Sequence, residues 1–284
     1  MRNSSHPITK KQKLSFTFNG KKYFGFKGDT LASALVANNV KTVGRSFKYH
    51  RPRGIFSAGS EEPNGLVEIG EGPFKEPNTK ATNVELFDGL EASSQNFLGS
   101  INFDFMAIND LLKNFIGAGF YYKTFMWPQK LWEKIYEPVI RKAAGLGKLS
   151  MEADPSQYDK GYLHSDFLIV GSGISGLMSA LLLAETGSEI LVIEEDFTLG
   201  GRLNSENLII NGEKSSVWVD RAVKKLKNFK NVRILTRTVV YAAFDHGIFA
   251  ALEKKTDHMS AKDSKPRQVN WKIYTKNIRD FSKL

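Results

Sequence analysis

The sequence predicts an α/β chain with an α+β N-terminal part, and three observations carry that prediction. An Asn-Gly pair near the N-terminus divides two runs of alternating apolar and polar residues. In the second half, a glycine-spaced turn joins a buried-strand pattern to a helix pattern, and another buried strand follows. Further on, two alternating segments flank Asp245-His246-Gly247 as in a β-hairpin. A chain of 284 residues has room for about two domains.

The first hairpin joins Leu14–Phe18 to Lys22–Phe26 through Asn19-Gly20. A type I′ turn needs positive φ at both central residues, which Asn and Gly tolerate best. Gly28-Asp29-Thr30 then opens a helix in which Leu31, Ala34 and Leu35 share a face, with Asp29 or Thr30 as its cap. Strands are expected at Leu66–Ile69 and Asn83–Phe87. Hairpin, helix and later strands are the order of a β-grasp module. Between helix and strand, residues 46–65 gather Lys48, His50, Arg51 and Arg53 among aromatics. They read as an anion or partner contact, or as a loop stiffened by Pro52 and Gly54. His50 has no second ligand at metal-binding spacing. Residues 120–136 then hold seven aromatics, Phe120, Tyr121, Tyr122, Phe125, Trp127, Trp132 and Tyr136, read here as a subunit or interdomain contact.

The second half carries the chemistry. Asp166–Val170 is a short buried strand, followed at once by Gly171-Ser172-Gly173-Ile174-Ser175-Gly176. Gly171 allows the tight turn, Gly173 lets a pyrophosphate approach the backbone, and Gly176 lets the helix pack closely. The helix start offers unpaired N–H groups to phosphates. Ile190–Ile193 is the second strand, and Glu194 stands 23 residues after Gly171, where a carboxylate accepts hydrogen bonds from ribose hydroxyls. A carboxylate disfavours a 2′-phosphate, so NAD or FAD is expected over NADP. Glu195 adjoins Glu194, and strand alternation leaves open which one faces the ligand. Gly200, Gly201 and Arg202 form a second loop able to pass close to a cofactor. A helix over Val217–Phe229, strands at Val232–Thr236, Thr238–Phe244 and Ile248–Glu253, and another at Gln268–Thr275 complete the pattern. This is the plan of a Rossmann-type FAD/NAD-binding domain, left incomplete where a returning parallel strand is due at residues 277–284. The expected boundaries are 14–100 for the β-grasp module, 101–160 for a helical, aromatic-rich connector and 161–284 for the dinucleotide domain.

Composition narrows the function classes. Hydrophobic residues at 41% and charged residues at 25% exclude a disordered or collagen-like chain. No cysteine is present, so a disulfide framework, a thiolate nucleophile and a cysteine-ligated iron–sulfur cluster are excluded. The net charge of +10 is concentrated in residues 221–284, with 16 Lys and Arg against five Asp and Glu. No nucleic-acid module accompanies it, so no nucleic-acid partner is expected. The apolar runs fall far short of a membrane span, and no signal-type segment follows the basic N-terminus. The expected location is cytoplasmic.

Five segments together have a recognisable source: GRSFKYHRPRGIFSAGSEEPN (44–64), TNVELFDGLEASSQN (82–96), AGFYYKTFMWP (118–128), WEKIYEPVIRKAAGLG (132–147) and DFLIVGSGISGL (166–177). The chain resembles the N-terminal part of the α subunit of heterotetrameric sarcosine oxidase. The resemblance implies a ferredoxin-like β-grasp module without its cluster, and an NAD site at Gly171, Gly173, Gly176 and Glu194. It implies β, γ and δ partner subunits, with FAD and covalent FMN serving the β subunit. It implies oxidative demethylation of sarcosine to glycine, with hydrogen peroxide and formaldehyde or, with folate, methylene-tetrahydrofolate. The family's α subunit is about three times longer and ends in a folate-binding domain. This chain therefore reads as a truncated frame or half of a split subunit, inactive alone and without a catalytic residue. The alternatives are a subunit of an opine, hydroxyproline or cyanide-forming dehydrogenase, or a non-catalytic fragment.

Overall fold

The computed structural model describes residues 9–114, 119, 127–143, 145–259 and 266–276. Two compact units divide in sequence between Asp154 and Pro155.

The first unit opens with β1 (Thr9–Phe18) and β2 (Lys21–Lys27), an antiparallel hairpin. Asn19 and Gly20 have φ of 51° and 73°, the two positive values a type I′ turn requires. In α1 (Leu31–Ala37), Thr30 and Ser33 form a reciprocal capping box, and Leu31, Ala34 and Leu35 are buried. Asp29 locks the helix entry by accepting from the Phe26 N–H and the Ser33 hydroxyl. A short ribbon follows, β3 (Gly44–Arg45) against β4 (Pro52–Arg53). Then come β5 (Leu66–Ile69), β6 (Glu76–Lys80) and β7 (Leu90–Ser94). The sheet runs β2-β1-β7-β5-β6, and β1 pairs in parallel with β7. Phe16, Phe18, Val67 and Leu90 of the sheet bury with Leu31 and Leu35 of α1. A helix packed on a mixed sheet in this order is the β-grasp arrangement.

One expected strand is corrected. Asn83–Phe87 is not a strand and makes only an isolated bridge, Thr30 with Glu85. Its backbone serves the helix entry instead: the Leu31 N–H donates to Val84 O, and the Leu86 N–H donates to Asp29 O. The central position in the sheet belongs to β7.

Beyond the sheet lie α2 (Ile108–Leu111), a helical turn at Trp132–Tyr136 and α3 (Glu137–Ala143). Of the aromatic run, Phe120, Tyr121, Tyr122 and Phe125 lie outside the described residues. Trp127 is exposed, and the Tyr136 hydroxyl donates to its carbonyl.

The second unit contains β8 (Tyr158–Ser165), β9 (Phe167–Val170), α4 (Ile174–Ala184) and β10 (Ile190–Ile193). A small ribbon of β11 (Ile209–Ile210) and β12 (Glu213–Lys214) precedes α5 (Ser215–Lys227) and β13 (Val232–Leu235). The unit continues with β14 (Thr238–Phe244), β15 (Ile248–Lys254) and β16 (Gln268–Thr275). A parallel sheet runs β13-β10-β9, and a second sheet runs β14-β15-β16-β8. All four residues of β10 are buried. Ile190 and Val192 join the cluster that includes Leu177 and Leu226 of the helices, while Leu191 and Ile193 join Leu163, Ala251 and Ile273 of the second sheet. A parallel strand covered on both faces must be continuously apolar. The segment 277–284, where a returning strand was expected, lies outside the described residues. Among the described residues no helix is long and apolar enough to cross a membrane.

Candidate functional site

The carboxyl ends of β9 and β10 stand side by side, because Val170 pairs with Ile193. Each strand therefore releases its loop at the same edge. The Gly171 N–H donates to the Ile193 carbonyl at 2.7 Å, and Gly171 then turns with φ of 88°. Gly173 precedes α4 as its N-cap and supplies no side chain to the free N–H groups of the first helical turn. Those N–H groups and the helix dipole suit an anionic group.

Gly173 and Gly176 of the turn meet different surroundings. A Cβ added at Gly173 would touch nothing within 4 Å, so the space above this backbone is open. A Cβ at Gly176 would lie 2.0 Å from the Gly171 carbonyl oxygen and 3.4 Å from Ile169. Gly176 is thus required by packing, and Gly173 is required by nothing within the chain. Gly201, with φ of 51°, brings the second loop against the first: its added Cβ would stand 3.4 Å from Gly173 Cα.

Glu194, directly after β10, stands in a different setting from Glu195. It is buried, whereas Glu195 is exposed. Its Oε2 accepts from the Ser172 N–H at 2.6 Å and from the Ser172 hydroxyl, and Oε1 accepts from the Asp196 N–H at 3.0 Å. A carboxylate offers about four acceptor positions, so Oε1 retains capacity for a ligand hydroxyl. Ser172 is fully buried, and its Oγ also accepts from the Gly200 N–H at 3.1 Å. Ser172 therefore ties together the glycine turn, the end of β10 and the Gly200-Gly201 loop. Sequence reasoning placed Ser172 in the site as part of a glycine motif and did not see this bracing role. A small hydroxyl residue between two motif glycines was the available signal.

The remaining candidates lie at the margin. Ile174 and Ser175 are exposed on the first turn of α4. Arg202 directs its guanidinium to Glu206 within the short helical turn that follows Gly200.

In the first unit, the loop candidates divide. His50 is buried and its Nδ1 lies 2.7 Å from Asp104 Oδ2. Arg51 pairs with Asp110, which raises the Arg51 pKa through their hydrogen bond. Lys48 and Arg51 each stand 4.9 Å from the Tyr49 ring centroid. Among the described residues no group of three or more metal-ligating side chains forms a metal site.

Comparison with known proteins agrees with this geometry. Residues 11–97 match the 2Fe-2S iron-sulfur cluster binding domain family, and residues 169–237 match the NAD(P)-binding Rossmann-like domain family. The thiolates that hold such a cluster are missing, since the chain has no cysteine. The cluster therefore does not fit this module. The chain is 49% identical to sarcosine oxidase subunit alpha of Rhizobium meliloti (strain 1021) over 92% of its own length and 26% of that protein's. It is 28% identical to sarcosine oxidase subunit alpha of Corynebacterium sp. (strain U-96) over 95% of its length and 24% of that protein's. The chain thus spans about a quarter of the length of these relatives. Its fold matches a crystal structure of L-proline dehydrogenase from P. horikoshii with a TM-score of 0.53, over 94% of this chain and 41% of that one, at 18% identity. The chain is a homologue of the sarcosine oxidase α subunit, built of a 2Fe-2S-type module without cysteine and an NAD(P)-binding Rossmann-like unit.

Proposed function

We propose that this chain serves as the dinucleotide-binding part of the α subunit of a sarcosine-oxidising flavoenzyme. The observation that carries this reading is the open space above Gly173, framed by Gly201 and by the buried Glu194 at the ends of two parallel strands. No packing demand within the chain explains a glycine there, whereas a pyrophosphate does.

The residues present fit NAD. The Gly173 backbone and the first-turn N–H groups of Ile174, Ser175 and Gly176 would hold its pyrophosphate. Glu194 would accept from the ribose through Oε1 while Ser172 keeps the carboxylate aimed. Arg202 would lie near the phosphates on the loop that Gly200 and Gly201 bend inward, and Glu195 would stay at the solvent side. Bound NAD would supply a hydride acceptor. A carboxylate at Glu194 would repel a 2′-phosphate, which favours NAD over NADP.

The substrate reaction would take place outside this chain. The partner flavins, FAD and FMN, would oxidise the N-methyl carbon of sarcosine, and tetrahydrofolate would be bound by parts of the α subunit beyond this chain. This chain contributes no catalytic residue in that reading, and it would act in the cytoplasm with β, γ and δ subunits. The support is the 49% identity to a sarcosine oxidase α subunit, which runs through both units.

Two measurements test the proposal. Calorimetric titration of the chain with NAD and NADP should give binding to NAD at least about tenfold tighter, a difference of about 1.4 kcal/mol. Binding of neither dinucleotide would remove the site. The assembled complex should release glycine from sarcosine. A preference for proline or an opine would move the reading to the related dehydrogenases.

A further inference from the structure

The sheet β14-β15-β16-β8 of the second unit covers β10 with one face, through Leu163, Ala251 and Ile273. Side chains alternate along a strand, so the neighbouring positions form a second face turned away from β10. The two faces differ in charge. The four strands hold three cations, Lys160, Lys254 and Lys272, and two carboxylates, Asp159 and Glu253. Both carboxylates pair with Val269, on the parity of the buried Ile273. The lysines stand at the outward parity: Lys160 opposite Asn270, Lys254 opposite Gln268, and Lys272 between Ala250 and Tyr162. The outward positions therefore carry no Asp or Glu, and none of the three lysines forms an ion pair with a carboxylate among the described residues.

The rings divide in the same way. Phe249 and Trp271 pack toward the core. Tyr158, Tyr162 and Tyr241 stand outward and are exposed to 52%, 69% and 55%. Tyr274 stacks on His164, with centroids 5.1 Å apart and planes at 11°, and on Tyr162 at 6.5 Å and 27°. Lys272 Nζ lies 5.2 Å from the Tyr274 centroid. The Tyr241 hydroxyl donates to Asn270 Oδ1 at 2.9 Å, which places its ring over the same face.

A ligand for this face must bring distributed negative charge to the lysines and flat rings to the stack. The cations are all lysine, a residue depleted from protein–protein interfaces. Single strands are held by base stacking on exposed aromatic rings, with cations along the phosphates. A duplex hides the ring faces of its bases and offers charge alone.

We propose that the outward face of this sheet binds single-stranded nucleic acid, with bases stacked on Tyr162, His164 and Tyr274 and phosphates held by Lys160, Lys254 and Lys272. The proposal is independent of the dinucleotide reading, because the glycine turn lies at the carboxyl ends of β9 and β10 and this face points away from β10. It departs from the expectation drawn from the sequence. No known motif is present, and the platform exists only once β8 pairs with β16 from a distant part of the chain.

The test is fluorescence anisotropy of labelled oligouridine and oligothymidine, about ten nucleotides long, titrated with the full chain. The expected result is saturable binding that Tyr162→Ala weakens about 10-fold and Tyr162→Phe retains. Lys160→Gln and Lys272→Gln should each lower the slope of log affinity against log salt by about 0.7. If Tyr162→Ala lowers the Tm, the lysine variants carry the test, since both lysines are exposed. The ratio of the two affinities tells RNA from DNA as the source. Absence of binding overturns the proposal. Equal affinity for a duplex of the same length does so too, as does binding that none of the variants changes, since the net charge of +10 alone would explain either. Displacement by polyglutamate as readily as by unlabelled oligonucleotide would make the face a contact for an acidic protein. Displacement by NAD would move the strand to the glycine turn. A chain that binds NAD and no oligonucleotide refutes this face alone, and one that binds the oligonucleotide and no NAD refutes the dinucleotide reading alone.

Discussion

Gly173 and Gly176 are three residues apart and answer to different neighbours. Above Gly173 there is open space, and its φ is negative. A Cβ there meets nothing within 4 Å, and a valine fills the room a pyrophosphate would need. Gly173→Val should therefore leave the unfolding midpoint unchanged while weakening NAD binding by about 100-fold or more, as a steric clash with a phosphate implies. Calorimetric titration and thermal melting of the same sample check both halves. Unchanged NAD affinity would show that the ligand lies elsewhere. Gly176→Ala should behave in the opposite way. Its Cβ would stand 2.0 Å from the Gly171 carbonyl oxygen, so backbone must move. Overpacking of this kind costs about 1–3 kcal/mol, which a chemical denaturation curve would read directly. A stable Gly176→Ala variant would contradict the close helix approach.

At the scale of elements, the 44–64 loop is held by two buried carboxylates, in a module that matches a 2Fe-2S cluster-binding domain family. Glu62 accepts from the N–H groups of Phe56, Ser57 and Asn64. Burial pushes its carboxyl up, but those hydrogen bonds prevail and hold it below the ordinary value. Burial likewise pushes Asp104 up, and the Leu98 N–H, His50 and the Met106 N–H outweigh it. A depressed carboxyl contributes stability that is fully present above its unfolded pKa, about 4, and lost as pH falls through the folded value. The first unit should thus lose stability progressively below about pH 4, with the loop loosening as Glu62 and Asp104 protonate. Glu62→Gln should remove about 1–3 kcal/mol at neutral pH, because one acceptor oxygen becomes a donor facing backbone N–H groups. It should also flatten the acid dependence. A denaturation series from pH 3 to pH 7 would test this, and parallel curves for the two proteins would refute it.

The same scale explains what the sequence made legible. The hairpin at Asn19-Gly20 and the turn at Gly171–Gly176 were readable because their demands are local: φ sign, Cβ clearance and glycine spacing. Both strands of the Asp245-His246-Gly247 hairpin were readable for the same reason. Asn83–Phe87 looked like a strand because Asn83-Val84-Glu85-Leu86 alternates, yet its backbone groups bond to the entry of α1. The true central strand, Leu90–Ser94, is LEASS, with little β-propensity, and its place is set by β1 and β5 on either side. β8 was invisible too. Its sequence YDKGYLHS is polar, and its parallel partner β16 lies about a hundred residues away. In the site, the glycines and Glu194 were legible from spacing. The Ser172 bracket was not, because it depends on three loops meeting.

At the scale of the whole molecule, the buried clusters among the described residues each come from one unit's stretch of chain. Phe16, Leu35 and Leu90 are buried together in the first, and Leu177, Val192 and Leu226 in the second. A core that is complete within one unit melts with that unit, so calorimetry should resolve two transitions with different sensitivities. NAD binds only the native second unit in the proposed reading. At about 100 times its Kd it should stabilise that transition by about 2.7 kcal/mol and leave the other in place. Acid should act chiefly on the first, through Glu62 and Asp104. The second unit also holds a depressed carboxyl, Asp166, bonded to Lys276 and to the Glu189 N–H. Lys276 is 79% exposed, so that contribution is screened by solvent and should fade with added salt. NAD and acid should therefore move different peaks of one thermogram. A single transition displaced by both would mean that the two units unfold as one cooperative body, and the assignment of ligand sensitivity to one and acid sensitivity to the other would fail.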